Sequence, residues 1–271
     1  MSVRAVSRET DGDLLASTDW ASIFQGARAV VHMATRAAAP KNKPAWIGEE
    51  TESAAVIARI ARRAGVERVI FVSSIRAMGA DSGKMPFRAD TPPQPVDEYG
   101  RGKLAVEHAI QEAPSLVILR PPLVYGPGSK GNVYALLAAI HRGLPLPFGL
   151  VRNERSFIFI ENLLDLIETS LDTARTPPGV YLMRDDDDVA MPELLRRMGR
   201  GIGRKPLLLP FPPFILDATL RLLKRRNEAN ALFRSLRVDD SATRSATGWK
   251  PRVSMEDGLA ITGQWFQATR R

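Results

Sequence analysis

Arg68-Val69-Ile70-Phe71-Val72-Ser73-Ser74 decides the fold. Its unbroken apolar run is the pattern of a strand covered on both faces, and two serines close its C-terminal end. Upstream, residues 51–64 read as a helix rich in Ala and Arg, closed by Gly65 as helix C-termini prefer. Before it lie a strand at 29–33, introduced by Gly26, and a short strand at 3–7. Downstream, a polar, Pro-rich loop covers 79–95, a helix runs from Tyr99 to about Gln111, and a strand occupies 116–120. Strands alternating with helices predict a parallel sheet with helices on both faces.

After Pro121 the pattern loosens. Gly126-Pro127-Gly128 and Leu144-Pro145-Leu146-Pro147 mark loops. Residues 157–171 read as a strand running into an amphipathic helix, 179–183 as a last sheet strand, and the chain from Met191 as mostly helical. The expected division is a dinucleotide-type core over 1–125, with 157–184 returning to it, and a smaller lobe from 126–156 and 185–271.

The chain has no cysteine, which excludes disulfides, thiolate metal sites and thiol nucleophiles and fits a reducing cytoplasm. The most apolar stretch, 207–216, is broken by Pro210, Pro212 and Pro213, so no integral membrane segment is expected. No secretory signal is visible at the N-terminus, and the expected location is cytoplasmic. The net charge of +8 collects toward Arg221, Lys224, Arg225, Arg226, Arg234 and Arg237. No aromatic-and-basic reading pattern accompanies these residues, so nucleic acid is not an expected partner.

Tyr99-Gly100-Arg101-Gly102-Lys103 places a phenol and an ammonium four positions apart, on one face of a helix. A nearby cation favours phenolate and is expected to lower the Tyr99 pKa toward working pH, as a general acid/base for an alcohol–ketone conversion requires. The spacing alone recurs by chance. Ser73 and Ser74 strengthen it, because they end a buried strand at the sheet edge where sites form.

With these residues in place the chain resembles the extended short-chain dehydrogenase/reductase family, in its nucleotide-sugar epimerase, dehydratase and 4-keto-reductase branch. The matching pieces begin with Gly12-Asp13-Leu14, Val30-Val31-His32-Met33-Ala34 and Ala64-Gly65-Val66 leading into Phe71-Val72-Ser73-Ser74. Tyr99 to Lys103, the run Arg120-Pro121-Pro122-Leu123-Val124-Tyr125-Gly126-Pro127-Gly128, Arg155-Ser156-Phe157-Ile158 and Gly248-Trp249-Lys250-Pro251 complete the set.

The resemblance implies an α/β, Rossmann-type doubly wound parallel sheet, its first strand absent, with a smaller C-terminal substrate lobe. It implies Ser74, Tyr99 and Lys103 as catalytic residues. It assigns cofactor contacts to Arg8, Asp13, Leu14, Met33, Ala34, Thr35, Ser73, Pro121, Pro122 and Leu123, besides Tyr99 and Lys103. It assigns substrate contacts to Ser74, Asn132 and Arg155, the last suited to a diphosphate by its forked donors. The implied activity is NAD(P)-dependent 4-keto reduction or C4 epimerisation of a UDP-hexose derivative for surface polysaccharide, with a homodimer possible. NADPH is slightly favoured over NADH, because Arg8 stands where an acidic residue would grip the ribose of NAD.

The pattern departs from the family in one large respect. The strand, glycine-rich turn and helix that receive the pyrophosphate are not found, and residues 3–7 correspond to the family's second strand. Two readings follow: the true start lies upstream, which is preferred, or the chain is a shortened, non-catalytic binding or regulatory member. Glu50 and Ser53 stand where the family usually has Asn and Gly. Asp185 to Asp188 is read as a solvated acidic loop rather than a metal site, His32 as packed rather than catalytic, and no metal is expected. The segment 213–237 is amphipathic and basic; a lobe helix or oligomer contact is preferred for it over a membrane-surface role.

Overall fold

The computed structural model describes residues 3–7, 11, 14–33, 46–222 and 232–270. They form two compact units: 1–79, 92–120 and 167–181 in the first, and 80–91, 121–166 and 182–271 in the second.

The first unit is built on a sheet of four strands. β1 (Ala29–His32), β2 (Arg68–Val72) and β3 (Val117–Arg120) are parallel neighbours, and β6 (Gly179–Leu182) lies beside β3. Val31 faces Ile70 and Ile70 faces Val117 in register. Val69, Ile70 and Phe71 are wholly buried, as their continuous apolar run requires. Its helices among the described residues include the short α1 (Trp20–Phe24), α2 (Trp46–Arg63) and α3 (Glu98–Ala109). Trp20, Phe24, Ala54, Ile57 and Ala58 pack with Val69, Phe71 and Ile118 into one apolar core. Helix α2 begins at Trp46, earlier than its Ala-rich part suggested, because Trp46 is itself buried.

Residues 3–7 form no strand, correcting the sequence expectation: they join no ladder, and Val3, Arg4 and Ala5 are exposed. A strand lacking a hydrogen-bonded neighbour gains too little to hold its extended form. Among the described residues β1 is therefore the edge of the sheet.

The second unit has a mixed sheet in which β5 (Arg155–Phe159) runs parallel to β4 (Leu123–Tyr125) and antiparallel to β7 (Asp188–Val189). Helix α4 (Asn132–His141), the second-unit part of α5 (Ile160–Leu171), and helices α6 (Met191–Gly201), α7 (Pro213–Leu222), α8 (Ser241–Thr247) and α9 (Met255–Ala268) complete it. The expected run of a strand into a helix over 157–171 is observed as β5 and α5.

The acidic run at 185–188 is a solvated loop only in part: Asp186 and Asp187 are exposed and Asp185 is not. Asp185 is fully buried and accepts hydrogen bonds from the Tyr125 hydroxyl at 2.7 Å, Asn162 Nδ2 at 2.8 Å and the Phe159 amide at 3.1 Å. Burial pushes its carboxyl up, and these donors oppose the shift. Asp186 pairs with Arg244, Asp187 with Arg197, and Asp188 accepts from Ser156 Oγ. The run joins strand β5, helix α6 and helix α8 within one unit.

Candidate active site

Strand β2 delivers Ser73 and Ser74 to the C-terminal edge of the sheet. Ser74 is extended, with φ −159° and ψ 150°, and caps the single 3₁₀ turn Ile75–Ala77 by accepting the Arg76 amide at 3.2 Å. Asp97 caps α3 by accepting the Gly100 amide at 2.8 Å. Asp97 is also ion-paired to Arg76. One buried carboxylate thus ties the start of the helix that bears Tyr99 to the turn that follows Ser74.

The glycines of Tyr99-Gly100-Arg101-Gly102-Lys103 have steric causes. A Cβ on Gly100 would stand 2.2 Å from the Arg76 carbonyl oxygen, and one on Gly102 would stand 2.3 Å from the Trp46 ring. Helix α3 therefore lies against the turn after β2 and against α2 at distances only glycine permits. That approach sets Tyr99 near enough to Ser74 for the serine hydroxyl to favour the phenolate. Both residues are half-buried.

Lys103 lies one helical turn further in and is only 6% exposed. Its Nζ donates to the Val72 carbonyl at 3.3 Å and sits 5.5 Å from the centre of the Phe71 ring and 5.7 Å from that of Tyr99. Burial lowers its pKa from 10.5 to about 8, opposed by the negative charge of Glu50 and Glu107. The Tyr99 pKa is raised, correcting the expected lowering. Burial is the largest cause, and it outweighs the Ser74 hydroxyl and the Arg76 charge that favour phenolate.

Two carboxylates complete the setting. Glu107, four residues beyond Lys103 and 2% exposed, receives Ser73 Oγ at 2.5 Å and two donors of Arg120, Nε at 3.0 Å and Nη2 at 2.5 Å. The Ser73 hydroxyl is thereby engaged with Glu107. Sequence reasoning passed over Glu107, although the spacing of 99, 103 and 107 puts it on the same helix face. Glu50, flagged as a departure from the family, is buried and close enough to raise the pKa of both Lys103 and Tyr99.

The other expected contacts divide by location. Met33 follows β1 and is 57% exposed, while Leu14 is buried in the core and its carbonyl accepts from Ser53 Oγ at 3.4 Å. Arg8, Asp13, Ala34 and Thr35 lie outside the described residues. His32 stacks on Phe71 with ring centres 5.4 Å apart, and burial pushes its pKa down to about 4, so it is a packed neutral imidazole as expected.

In the second unit Pro121 and Pro122 are buried and lead into β4, which opens at Leu123. A cavity of about 170 Å³ brings Leu123, Asn132 and Arg155 together with Phe157, Met191 and Met198. Arg155 is 9% exposed and donates from Nη1 to the Arg234 carbonyl at 3.1 Å. A largely apolar cavity with a few convergent polar groups is the ordinary form of a small-molecule site.

Residues Met33, Ser74, Tyr99 and Lys103 gather where parallel strands β1 and β2 end, the edge at which open α/β sheets bind dinucleotides. An exposed Met33, a half-buried phenol and a deeply set ammonium fit a nicotinamide nucleotide: apolar surface for the base, donors for its ribose.

Comparison with known proteins agrees. The chain is 34% identical over 273 residues to UDP-glucose 4-epimerase of Vibrio cholerae, covering 96% of this chain and 83% of that one. It is 30% identical over 157 residues to an N-acetyl-alpha-D-glucosaminyl-diphospho-ditrans,octacis-undecaprenol 4-epimerase of Escherichia coli O157:H7, covering 55% of this chain and 47% of that one. The structure of the Bordetella bronchiseptica enzyme WbmG in complex with NAD and UDP superposes with a TM-score of 0.77 at 21% identity, covering 99% of this chain and 80% of that one. UDP-glucuronic acid 4-epimerase from Bacillus cereus, in complex with NAD, gives 0.77 at 18% identity over 94% of this chain and 79% of that one. At such identities the likeness is one of fold, a Rossmann-type α/β fold. The motifs, the fold and the match of residues 2–183 to the family model meet in one assignment: the chain belongs to the NAD dependent epimerase/dehydratase family.

Proposed function

We propose that the chain is an NAD(P)-dependent enzyme that epimerises C4 of a UDP-linked hexose. The observation that carries the reading is the approach of helix α3 to the turn after β2 through Gly100, which sets Tyr99 beside Ser74 with the Lys103 Nζ 5.7 Å from the centre of its ring. The Vibrio cholerae relative, a UDP-glucose 4-epimerase by name, supports the choice of reaction. The non-catalytic reading rests on the glycine-rich turn that the sequence lacks; against it stands the way Asp97, Gly100 and Gly102 hold Ser74, Tyr99 and Lys103 together.

A bound nicotinamide nucleotide supplies hydride acceptance and return at C4. The protein's part is to place and move a proton. Ser74 donates a hydrogen bond to the substrate O4, and Tyr99 takes the hydroxyl proton from that oxygen and gives it back after the sugar presents its other face. Tyr99 can take that proton only as phenolate, the form that burial disfavours, so the step depends on the groups that oppose burial, the Arg76 charge among them. Lys103 binds the nicotinamide ribose and opposes that bias with a positive charge under the phenol ring. Arg155, with Asn132, is assigned to the nucleotide diphosphate.

Arg8 supports a dinucleotide carrying a 2′-phosphate, whereas the fold neighbours named above hold NAD. Titration with NAD and NADP, in wild type and in Arg8→Asp, separates the two. Surface-polysaccharide synthesis is the setting proposed for the product. The deciding assay follows conversion of UDP-glucose and UDP-N-acetylglucosamine to their C4 epimers. Tyr99→Phe should lower kcat by about 100-fold or more while dinucleotide affinity holds. Wild-type protein that binds dinucleotide yet epimerises neither substrate, or a fully active Tyr99→Phe, would refute the proposal. Consumption of NADPH with a UDP-4-keto sugar and no epimerisation would mark a reductase using the same residues.

A further inference from the structure

Two cations act near the Tyr99 phenol, and they are placed differently. Lys103 lies under the ring, its Nζ 5.7 Å from the ring centre and donating to the Val72 carbonyl. Burial lowers its pKa to about 8, so its charge fades in mildly alkaline solution. Arg76 carries a guanidinium, which stays charged throughout a protein's working range. It follows Ser74 by two residues, inside the 3₁₀ turn that Ser74 caps, and its carbonyl oxygen is the atom that a Cβ on Gly100 would strike. Its guanidinium pairs with Asp97, the cap of α3, two residues before Tyr99. Arg76 is therefore fixed to Ser74 through the backbone and to the Tyr99 end of α3 through its side chain.

The ion pair leaves part of that cation free to act on the phenol. Asp97 engages Nη2, while Nε is buried with no hydrogen-bond partner among the described residues. Asp97 is itself divided, Oδ2 accepting the guanidinium and Oδ1 the Gly100 amide. The two charges pull Tyr99 in opposite senses. Arg76 favours its phenolate, as Ser74 does; Asp97 disfavours it, as do Glu50 on α2 and, above all, burial. The phenol is thus surrounded by Ser74 and Arg76 from the turn after β2, Asp97 and Lys103 from α3, and Glu50 from α2.

We propose that Arg76 is a positioning residue for the reaction: held by Asp97 at the start of α3, its guanidinium stabilises the Tyr99 phenolate that receives the substrate proton, and Asp97 moderates that support. The inference rests on the acid/base role proposed for Tyr99. It makes the two members of the ion pair unequal. Loss of the cation and loss of the anion move Tyr99 in opposite directions, whereas a purely mechanical brace would make the two losses alike.

The test reads Tyr99 directly in the full chain. Phenolate absorbs in the near ultraviolet, and subtracting the spectrum of Tyr99→Phe isolates Tyr99 from the other three tyrosines. All proteins are compared at one alkaline pH at which circular dichroism shows them folded. Arg76→Gln should hold about 10-fold less Tyr99 phenolate than wild type, as loss of a neighbouring opposite charge implies. Arg76→Lys keeps the charge and should recover most of it. Asp97→Asn keeps a capping side chain on α3 and loses the acid, so it should hold more phenolate than wild type. In the epimerase assay the acid limb of kcat/KM should move to higher pH in Arg76→Gln and to lower pH in Asp97→Asn. Equal phenolate in wild type and Arg76→Gln overturns the inference. So does an unchanged or reduced fraction in Asp97→Asn, and that comparison decides alone if Arg76→Gln does not fold. Phenolate in the expected order, from a protein that epimerises neither UDP-sugar, would uphold the charge arrangement and count against the proposed reaction instead.

Discussion

Lys103→Met should make the protein more stable and inactive. Lys103 is 6% exposed, and lowering its pKa from 10.5 to about 8 means that the fold disfavours the charged form. That difference corresponds to about 3 kcal/mol. Methionine keeps the length and apolar body of the side chain without the charge, and loses the hydrogen bond to the Val72 carbonyl, worth about 1 kcal/mol. The net expectation at pH 7 is a gain of about 2 kcal/mol, or roughly 4–8 °C in Tm for a chain of this size. The pH dependence identifies the cause. Between pH 8 and 10.5 the unfolded chain still holds the Lys103 proton and the folded chain has released it, so wild-type stability rises across that window. Lys103→Met lacks that rise, and its advantage fades toward pH 10. Urea denaturation of both proteins, without nucleotide, at pH 7 and pH 10 measures each quantity. A variant less stable than wild type at pH 7, or one whose advantage persists undiminished at pH 10, would show that burial does not oppose the ammonium.

Arg120→Met leaves Glu107 buried with Ser73 as its remaining named donor, and should cost about 3–5 kcal/mol in chemical denaturation. A loss below about 1 kcal/mol would mean that the pair is solvated. Gly102→Ala forces its methyl against the Trp46 ring, and should cost about 1–3 kcal/mol and lower kcat, because α3 must shift Tyr99 and Lys103 together. Unchanged stability and turnover would show that Trp46 swings aside freely.

Ser74, Tyr99 and Lys103 were legible because local rules place them: a buried strand ends at the sheet edge, and a spacing of four shares a helix face. Strand β2 was equally plain, since covering on both faces leaves an unbroken apolar run. Asp185 was not legible. Four aspartates in a row look solvated, and only the tertiary arrangement of Tyr125, Phe159 and Asn162 shows that the first of them is a buried acceptor. Residues 3–7 failed for the opposite reason, because their β-forming composition says nothing about whether a neighbouring strand is there to pair. The direction of the Tyr99 pKa also escaped the spacing rule. Four positions reveal a nearby cation but not the depth of burial that outweighs it.

The Arg76–Asp97 pair has a consequence for how such a protein can change over time. It closes a ring between the turn after Ser74 and the cap of α3, so the spacing of the Ser74 and Tyr99 hydroxyls is held by a short brace. The loop between them rejoins that ring at its end, where the Gln94 amide donates to the Met78 carbonyl and Pro95 lies against Gly100. Changes in the middle of the loop bear on the proposed proton transfer less directly than changes at these anchors, which leaves the middle freer to vary than the ends.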